Sequence, residues 1–292
     1  MSCRAQAEGL AQLKRSDFVA ARAQEVLDAS SGTTPASSLR SGIGIDRPYW
    51  SAGEPRAFVA GVFETGGVSL RTELDVGYGQ PHYAWAGLEV SSSLSLRGVT
   101  MYSGGRVALP FGHIRAGARY FAAVNQKLLA PQAEHERWDL DVDEGRRSRY
   151  VALDGELFAD IPLPAGKLGL LGAVHGVFGP PPEFHVYEEG LRAIIKPPLA
   201  WRGRASYLVG VGEPATLRVG GLLDVYGNPE REAVWLRTGP AVAVSLTHHL
   251  EAVGVAAFTF LAPDEIGLAG ADLGQIGLRY RWATGDPWPE FP

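Results

Sequence analysis

An all-β chain, closed as one antiparallel up-and-down transmembrane β-barrel of about 12 to 14 strands with a short α-helical N-terminal extension, is the architecture this sequence predicts. Three observations predict it. From about residue 39 onward, successive stretches alternate apolar and polar residues with a period of two, the mark of extended strands with unlike faces. Short polar or proline turns (164–166, 212–214, 247–249) alternate with longer segments (124–149, 179–200, 227–233, 261–270) through the second half. Aromatics gather near strand ends: Tyr78, Tyr83, Trp85, Tyr120, Phe121, Phe178, Trp201, Tyr226, Phe260 and Trp282.

Composition narrows the class. The 292 residues include 37 Gly and 20 Pro, a turn-rich content, and 46% are hydrophobic. Net charge is −5, and the positive charge is nearly all Arg, with Lys only at 14, 127, 167 and 196. No clustered basic face exists for nucleic acid. The single cysteine, Cys3, excludes a disulfide framework and a cysteine-based zinc site. No uncharged apolar run approaches the roughly 18 residues of a membrane helix, so a crossing would have to be made by strands. MSCRAQAEGLAQLKRSDF lacks the apolar core of an export signal. Export therefore implies a start upstream of Met1 or a mature form, and the alternative is a chain that is not exported.

Residues 1–30 form the one helical region, rich in Ala, Leu, Glu, Gln and Arg, and 31–38 are a linker of small polar residues. The barrel occupies 39–283, and 284–292 are a tail. Arg56–Thr65 and Val68–Tyr78 are joined through Gly66-Gly67, a hairpin signal. In the second of these, Val68, Leu70, Leu74 and Val76 oppose Ser69, Arg71, Glu73 and Asp75. Further strands follow at Ala84–Leu96, His113–Ala122, Val151–Leu163, Lys167–Phe178, Trp201–Val211, Leu217–Val225, Val234–Leu246 and Leu250–Phe260. The last, within Ala271–Trp282, puts Ile276, Leu278, Tyr280 and Trp282 on one face and Arg279 and Arg281 on the other.

That closing strand, GQIGLRYRW, resembles the C-terminal strand of Gram-negative outer-membrane β-barrel proteins, which alternates and ends on an aromatic. The resemblance implies an apolar face toward lipid, a polar face toward a lumen, and an outer-membrane location. The ten residues after Trp282 depart from it. A second likeness covers less: SDFVAARAQEVL with Asp17, Phe18, Ala21, Val26 and Leu27, followed by Pro35, is similar to the middle of one tetratricopeptide repeat. One repeat cannot bury its own apolar face, so this stretch implies at most a docking element, through residues 1–38, for a periplasmic or envelope protein.

The polar faces define the candidate site. An acidic lumen wall is expected from Glu73, Asp75, Glu89, Asp154, Glu156 and Asp160, and a basic wall from Arg202, Arg204, Arg218, Arg237, Arg279 and Arg281. These charges either pair across a narrow lumen or stand apart and act on passing solutes. The prolines bounding 179–199 bar central-strand pairing, so this segment, with Tyr187-Glu188-Glu189, is expected over the barrel mouth or inside it. Asp139, Asp141 and Asp143 have the spacing of a calcium loop, but Glu144 stands where its glycine belongs and Tyr150 where its bidentate glutamate belongs. A solvated loop is the simpler reading, and no metal or cofactor is expected. His248-His249 point apart in a turn, and Ser245, His249 and His175 sit in no hydrolase motif. No enzyme is expected. The sequence favours a passive channel or transporter for small polar solutes, with the bilayer as partner. A structural or docking barrel of an envelope machine or polysaccharide export system is the alternative, and a soluble β-barrel or sandwich binding module the next.

Overall fold

The computed structural model describes residues 54–285 except 67–68, 142–144, 212–216 and 273–275. The helical extension, the linker, the first part of the expected barrel and most of the tail lie outside them. The described strands form one closed antiparallel barrel of 12 strands, the low end of the expected range. In chain order the first seven are β1 (Arg56–Gly66), β2 (Ser69–Gln80), β3 (Ala84–Ser95), β4 (Gly98–Leu109), β5 (Gly112–Lys127), β6 (Arg147–Leu163) and β7 (Gly166–Phe178). A small hairpin, β8 (Val186–Glu188) and β9 (Ala193–Ile195), stands apart from the wall. The wall resumes with β10 (Leu199–Val211), β11 (Leu217–Asn228) and β12 (Ala233–Ser245). It continues with β13 (Leu250–Val255) and β14 (Phe258–Leu261), which share one position, and β15 (Gly277–Ala283). β15 closes on β1 from Ala60↔Ala283 to Gly66↔Gly277.

Two strand assignments are corrected. β4 falls where no strand is expected, because Ser103-Gly104-Gly105 erases the contrast between its faces. The expected Leu250–Phe260 strand is broken after Val255. β12 supplies the reason: Pro240 has no N–H to give, and only its carbonyl is bonded, by the Ala256 N–H at 3.1 Å.

The barrel is inside-out relative to a water-soluble one. Leu88 is 65% exposed on the outer face, while its neighbour Glu89 is 0% exposed inside. The same alternation sets exposed Leu74, Val76, Ile114, Leu153 and Leu157 against buried Glu73, Asp75, Arg115, Asp154 and Glu156. Outward aromatics form two groups, Tyr78, Tyr207 and Trp282 near one end, and Tyr120, Phe178, Trp201 and Phe260 near the other. Tyr83, Trp85, Phe121 and Tyr226 are buried instead. Register places Trp85, Phe121 and Tyr226 on the interior face, where Phe58 meets Trp85 edge-on at 5.5 Å and Phe121 and Tyr226 stack on Tyr150 and Trp235.

The two ends differ. Chain entry into β1, chain exit from β15, and the connections 81–83, 110–111, 164–165 and 246–249 share one end, the turn end. The long connections 128–146, 179–198 and 262–276 share the other, the loop end.

Candidate functional site

The 179–198 connection turns into the barrel. All six residues of β8 and β9 are buried, and Val186, Leu191, Ala193 and Ile195 pack on Phe121, Tyr150, Val177 and Trp235. At the tip, the Glu188 carboxylate accepts a short bond from the Arg119 guanidinium on β5, one from the Tyr150 hydroxyl at 3.1 Å, and one from the Leu191 N–H at 2.5 Å. Arg119 is held in turn by Asp154 at 2.6 Å. The inserted loop is thus latched to the wall by a buried charge.

Other loops tie it down from above. Arg97 lies 4.3 Å over the Tyr187 ring, whose hydroxyl donates to the Ala269 carbonyl at 2.8 Å. Arg231 binds Asp264 at 2.8 and 2.9 Å and also donates to the Ile194 carbonyl at 2.6 Å. Asp264 accepts the His135 N–H at 3.1 Å, and the rings of His135 and His185 share a bond at 2.9 Å. Four loop-end connections meet in this node. Burial first, then the Arg231 charge, lowers the His185 pKa to about 4; burial lowers that of His135 as well.

Inside the wall, most of the charges expected from the sequence meet close counter-charges. Arg71 binds Glu73 at 2.6 Å, and Glu89 receives Arg115 at 2.6 Å and Arg106 at 3.2 Å. Asp75 is buried beside Glu73 and Glu89, the three carboxylates lying within 4.8 Å of one another. Arg71, Arg106 and Arg115 supply the positive charge this trio requires. Glu156 takes a bond from His113 at 2.8 Å, and Asp154 bonds His175 at 2.8 Å. Asp160 lies 3.7 Å from Lys167 near the turn end. On the opposite side Asp224 is clamped by Arg202 and Arg204 at 2.6 and 2.9 Å, and Arg204 reaches Asp272 at 2.8 Å. Arg237 donates to Thr259 at 3.1 Å and to the Arg192 carbonyl at 2.8 Å, 4.3 Å over Tyr226. Arg279 joins Glu64 and Glu251, the latter at 2.7 Å, and Arg281 reaches Glu251 at 2.9 Å. Arg218 is buried in the same interior.

Sequence reasoning did not select Arg106, Glu64 or Asp272. Arg106 and Glu64 carry charges on the inward faces of their strands, though Arg106 sits in the strand that glycines disguise, and Asp272 lies in the connection before β15, where no strand period marks it. Asp139 accepts the Glu136 N–H at 2.9 Å within a short 3-10 turn. Asp141 is exposed at the end of that turn, and Asp143 lies outside the described residues. The His249 ring bonds the Arg281 carbonyl at 2.8 Å and His248 is exposed, so the two do point apart.

Among the cavities at the loop end, one of about 100 Å³ lies between the Glu189–Gly190 tip and the wall from β1 to β5, β13 and β15. Toward the turn end the interior is packed with apolar side chains, among them Phe58, Tyr83 and Trp85 on one side and Leu208 and Ala243 on the other. No protein-family model matches the chain, and no curated protein matches it.

Proposed function

We propose that this is an outer-membrane β-barrel of Gram-negative type whose working face is its loop end: a membrane-anchored binding or docking barrel, sealed against free conduction. The apolar outer wall between two aromatic groups supports the membrane setting, because so large a contiguous apolar surface associates in water. One observation carries the sealed reading. Arg106, Arg204, Asp224, Arg237, Glu251 and Arg281 span the mid-barrel, and each is no more than 3% exposed. Buried charges of this kind persist only with close partners, and water-filled walls would leave them exposed. The passive channel expected from the sequence is the second reading. It is favoured by the polar latch at Glu188, which holds the inserted loop through contacts that water could replace.

Planar-bilayer recording on the full chain, refolded in detergent, separates the two. The sealed barrel gives no stable conductance, in the native protein or in Glu188→Gln. Conductance in the native protein, or its appearance on loosening the latch, supports the gated channel instead. Refolding into a monomer in plain buffer would overturn the membrane setting for both.

A further inference from the structure

Beyond the apolar outer surface of β5, β6 and β7, the loop end carries a compact set of cations. β6 enters the wall as Arg147-Ser148-Arg149-Tyr150-Val151, exposed and buried in alternation. Arg147 and Arg149 therefore share the outward face of Val151, Leu153 and Leu157. Val151 is laddered to Tyr120 on β5 and to Phe178 on β7, both outward aromatics of the loop-end group. Arg149 stands two residues further out along the same face. The ladder row through it is apolar elsewhere, running to Ala122, Val99, Leu94 and Leu70. The cations begin where the apolar band ends.

Their surroundings call for an anion. Lys127 on β5 is the ladder partner of Arg147, so two like charges stand opposite each other on one strand pair. Such a pair is destabilising, and an anion seated between them relieves the repulsion. The Lys127 Nζ donates to the Gly145 carbonyl at 3.3 Å, a bond that neutralises no charge. Beside them opens a cleft of about 270 Å³, lined by Arg146, Arg147 and Arg149 on one side and by Gly179 and Pro180-Pro181 on the other. No carboxylate lines it among the described residues. The barrel interior is the contrast, for there Arg71, Arg115 and Arg119 each bind a carboxylate at 2.6 Å. A guanidinium fork fits the oxygens of a phosphate. Position then selects the source of that phosphate. A lipid would meet these arginines with its headgroup while its chains lay along Val151, Leu153 and Phe178, whereas a free anion would use only the charges. Basic side chains beside an anionic bilayer surface each add attraction.

We propose that this cleft binds the phosphate of an anionic lipid headgroup, with Lys127, Arg147 and Arg149 as its charge-bearing groups. The proposal rests on the membrane setting and is independent of whether the barrel is sealed. The test is an NMR titration of the refolded full chain in neutral maltoside micelles, read at the Gly145 and Gly179 amides. The probes are dihexanoyl phosphatidic acid, phosphatidylcholine with the same chains, and inorganic phosphate. Phosphatidic acid is expected to saturate both signals, about tenfold more tightly than either other probe. Arg149→Gln should weaken its binding about fivefold, and Arg147→Gln combined with Arg149→Gln about thirtyfold, from about fivefold for each cation at an anionic surface. Arg56→Gln removes a cation at the turn end and should leave the affinity unchanged. Retained heat-modifiable gel mobility certifies that the variants are folded. Equal binding of phosphatidylcholine would reduce the site to an apolar surface, and equal binding of inorganic phosphate would make it a free-anion site; either overturns the proposal. So does an affinity unchanged in the double variant, or lowered as much by Arg56→Gln. A monomer that refolds in plain buffer would overturn the membrane setting beneath the proposal. Failure to bind phosphatidic acid, in a chain that folds only in micelles, overturns the site alone.

Discussion

At the turn end the interior is filled by side chains of the wall itself: Phe58 on β1, Trp85 on β3, Phe158 on β6 and Leu171 on β7. At the loop end it is filled by a loop, and that loop is held by Glu188, by the Arg231–Asp264 pair and by the His135–His185 bond. The first closure cannot open without disturbing the strand ladder. The second adds contacts to a wall that is already closed by its own hydrogen bonds. Burial that is part of a ladder shares the stability of the whole barrel, while a latched loop can open locally at lower cost. The loop end is therefore where a partner or solute can act on this protein without unfolding it.

Substitutions at the two ends should separate in kind as well as in size. Trp85→Ala removes a large, fully packed ring and should cost about 3–5 kcal/mol. The loss would appear as a lower temperature for loss of heat-modifiable mobility, with the whole barrel melting together. Glu188→Gln is the smaller change. It keeps an acceptor for Tyr150 and leaves Arg119 its bond to Asp154, so a cost of about 1–3 kcal/mol is expected, confined to the loop. Limited proteolysis within 179–198 should accelerate while the barrel's melting temperature stays near its native value. A global destabilisation by Glu188→Gln equal to that of Trp85→Ala would erase the distinction between the ends. Between them stands the mid-barrel pair Arg279 and Arg281. Changing both to Ser takes from Glu251, which is 0% exposed, its bonds to Arg279 at 2.7 Å and Arg281 at 2.9 Å. Removing the partners of a buried charge costs about 3–5 kcal/mol, so a stability loss should precede any change in ion selectivity.

The strand ladder was legible wherever polar and apolar residues contrast along the chain. Val68–Tyr78 is read almost as it folds, because Glu73 and Asp75 mark one face and Leu74 and Val76 the other. Where glycine removes the contrast, as at Gly104-Gly105, the period vanishes and the strand with it. Faces are harder than strands, because a one-residue change of register reverses every side chain. Trp85 and Tyr226 lie near strand ends as the sequence suggests, but they face the interior with Glu89 and Asp224 rather than joining the outward aromatics. The inward course of 179–198 was suggested by its bounding prolines. That Glu188 meets Arg119, 69 residues away, was not. Such pairings are fixed by closure of the barrel, and no local pattern encodes them. The same holds for Asp272 and Arg204, 68 residues apart.

The smallest expected effect is that of acid on the loop-end node, and its sign follows from His185. In the folded protein its pKa is lowered to about 4, whereas the unfolded or opened segment titrates near the ordinary value of about 6.5. Between these values the opened form binds more protons than the closed one, so the node loses stability as pH falls from about 6.5 toward 4 and is fully stable above that window. His135 is shifted in the same direction, and its ring bond to His185 needs a lone pair that double protonation removes. Asp264 and Asp139 oppose the change by favouring the charged rings, while Arg231 and Lys196 add to it. Because the Glu188 latch sits deeper in the barrel and is a separate contact, the node should loosen before the loop leaves. Hydrogen exchange measured at pH 7.5 and pH 4.5, corrected for the intrinsic rate, should show lost protection in residues 129–136 and 185–195, with the barrel strands unchanged. His185→Gln should flatten that dependence. Equal pH dependence in the variant would assign the acid response to other groups, and uniform loss across the strands would mean that the two ends do not open independently.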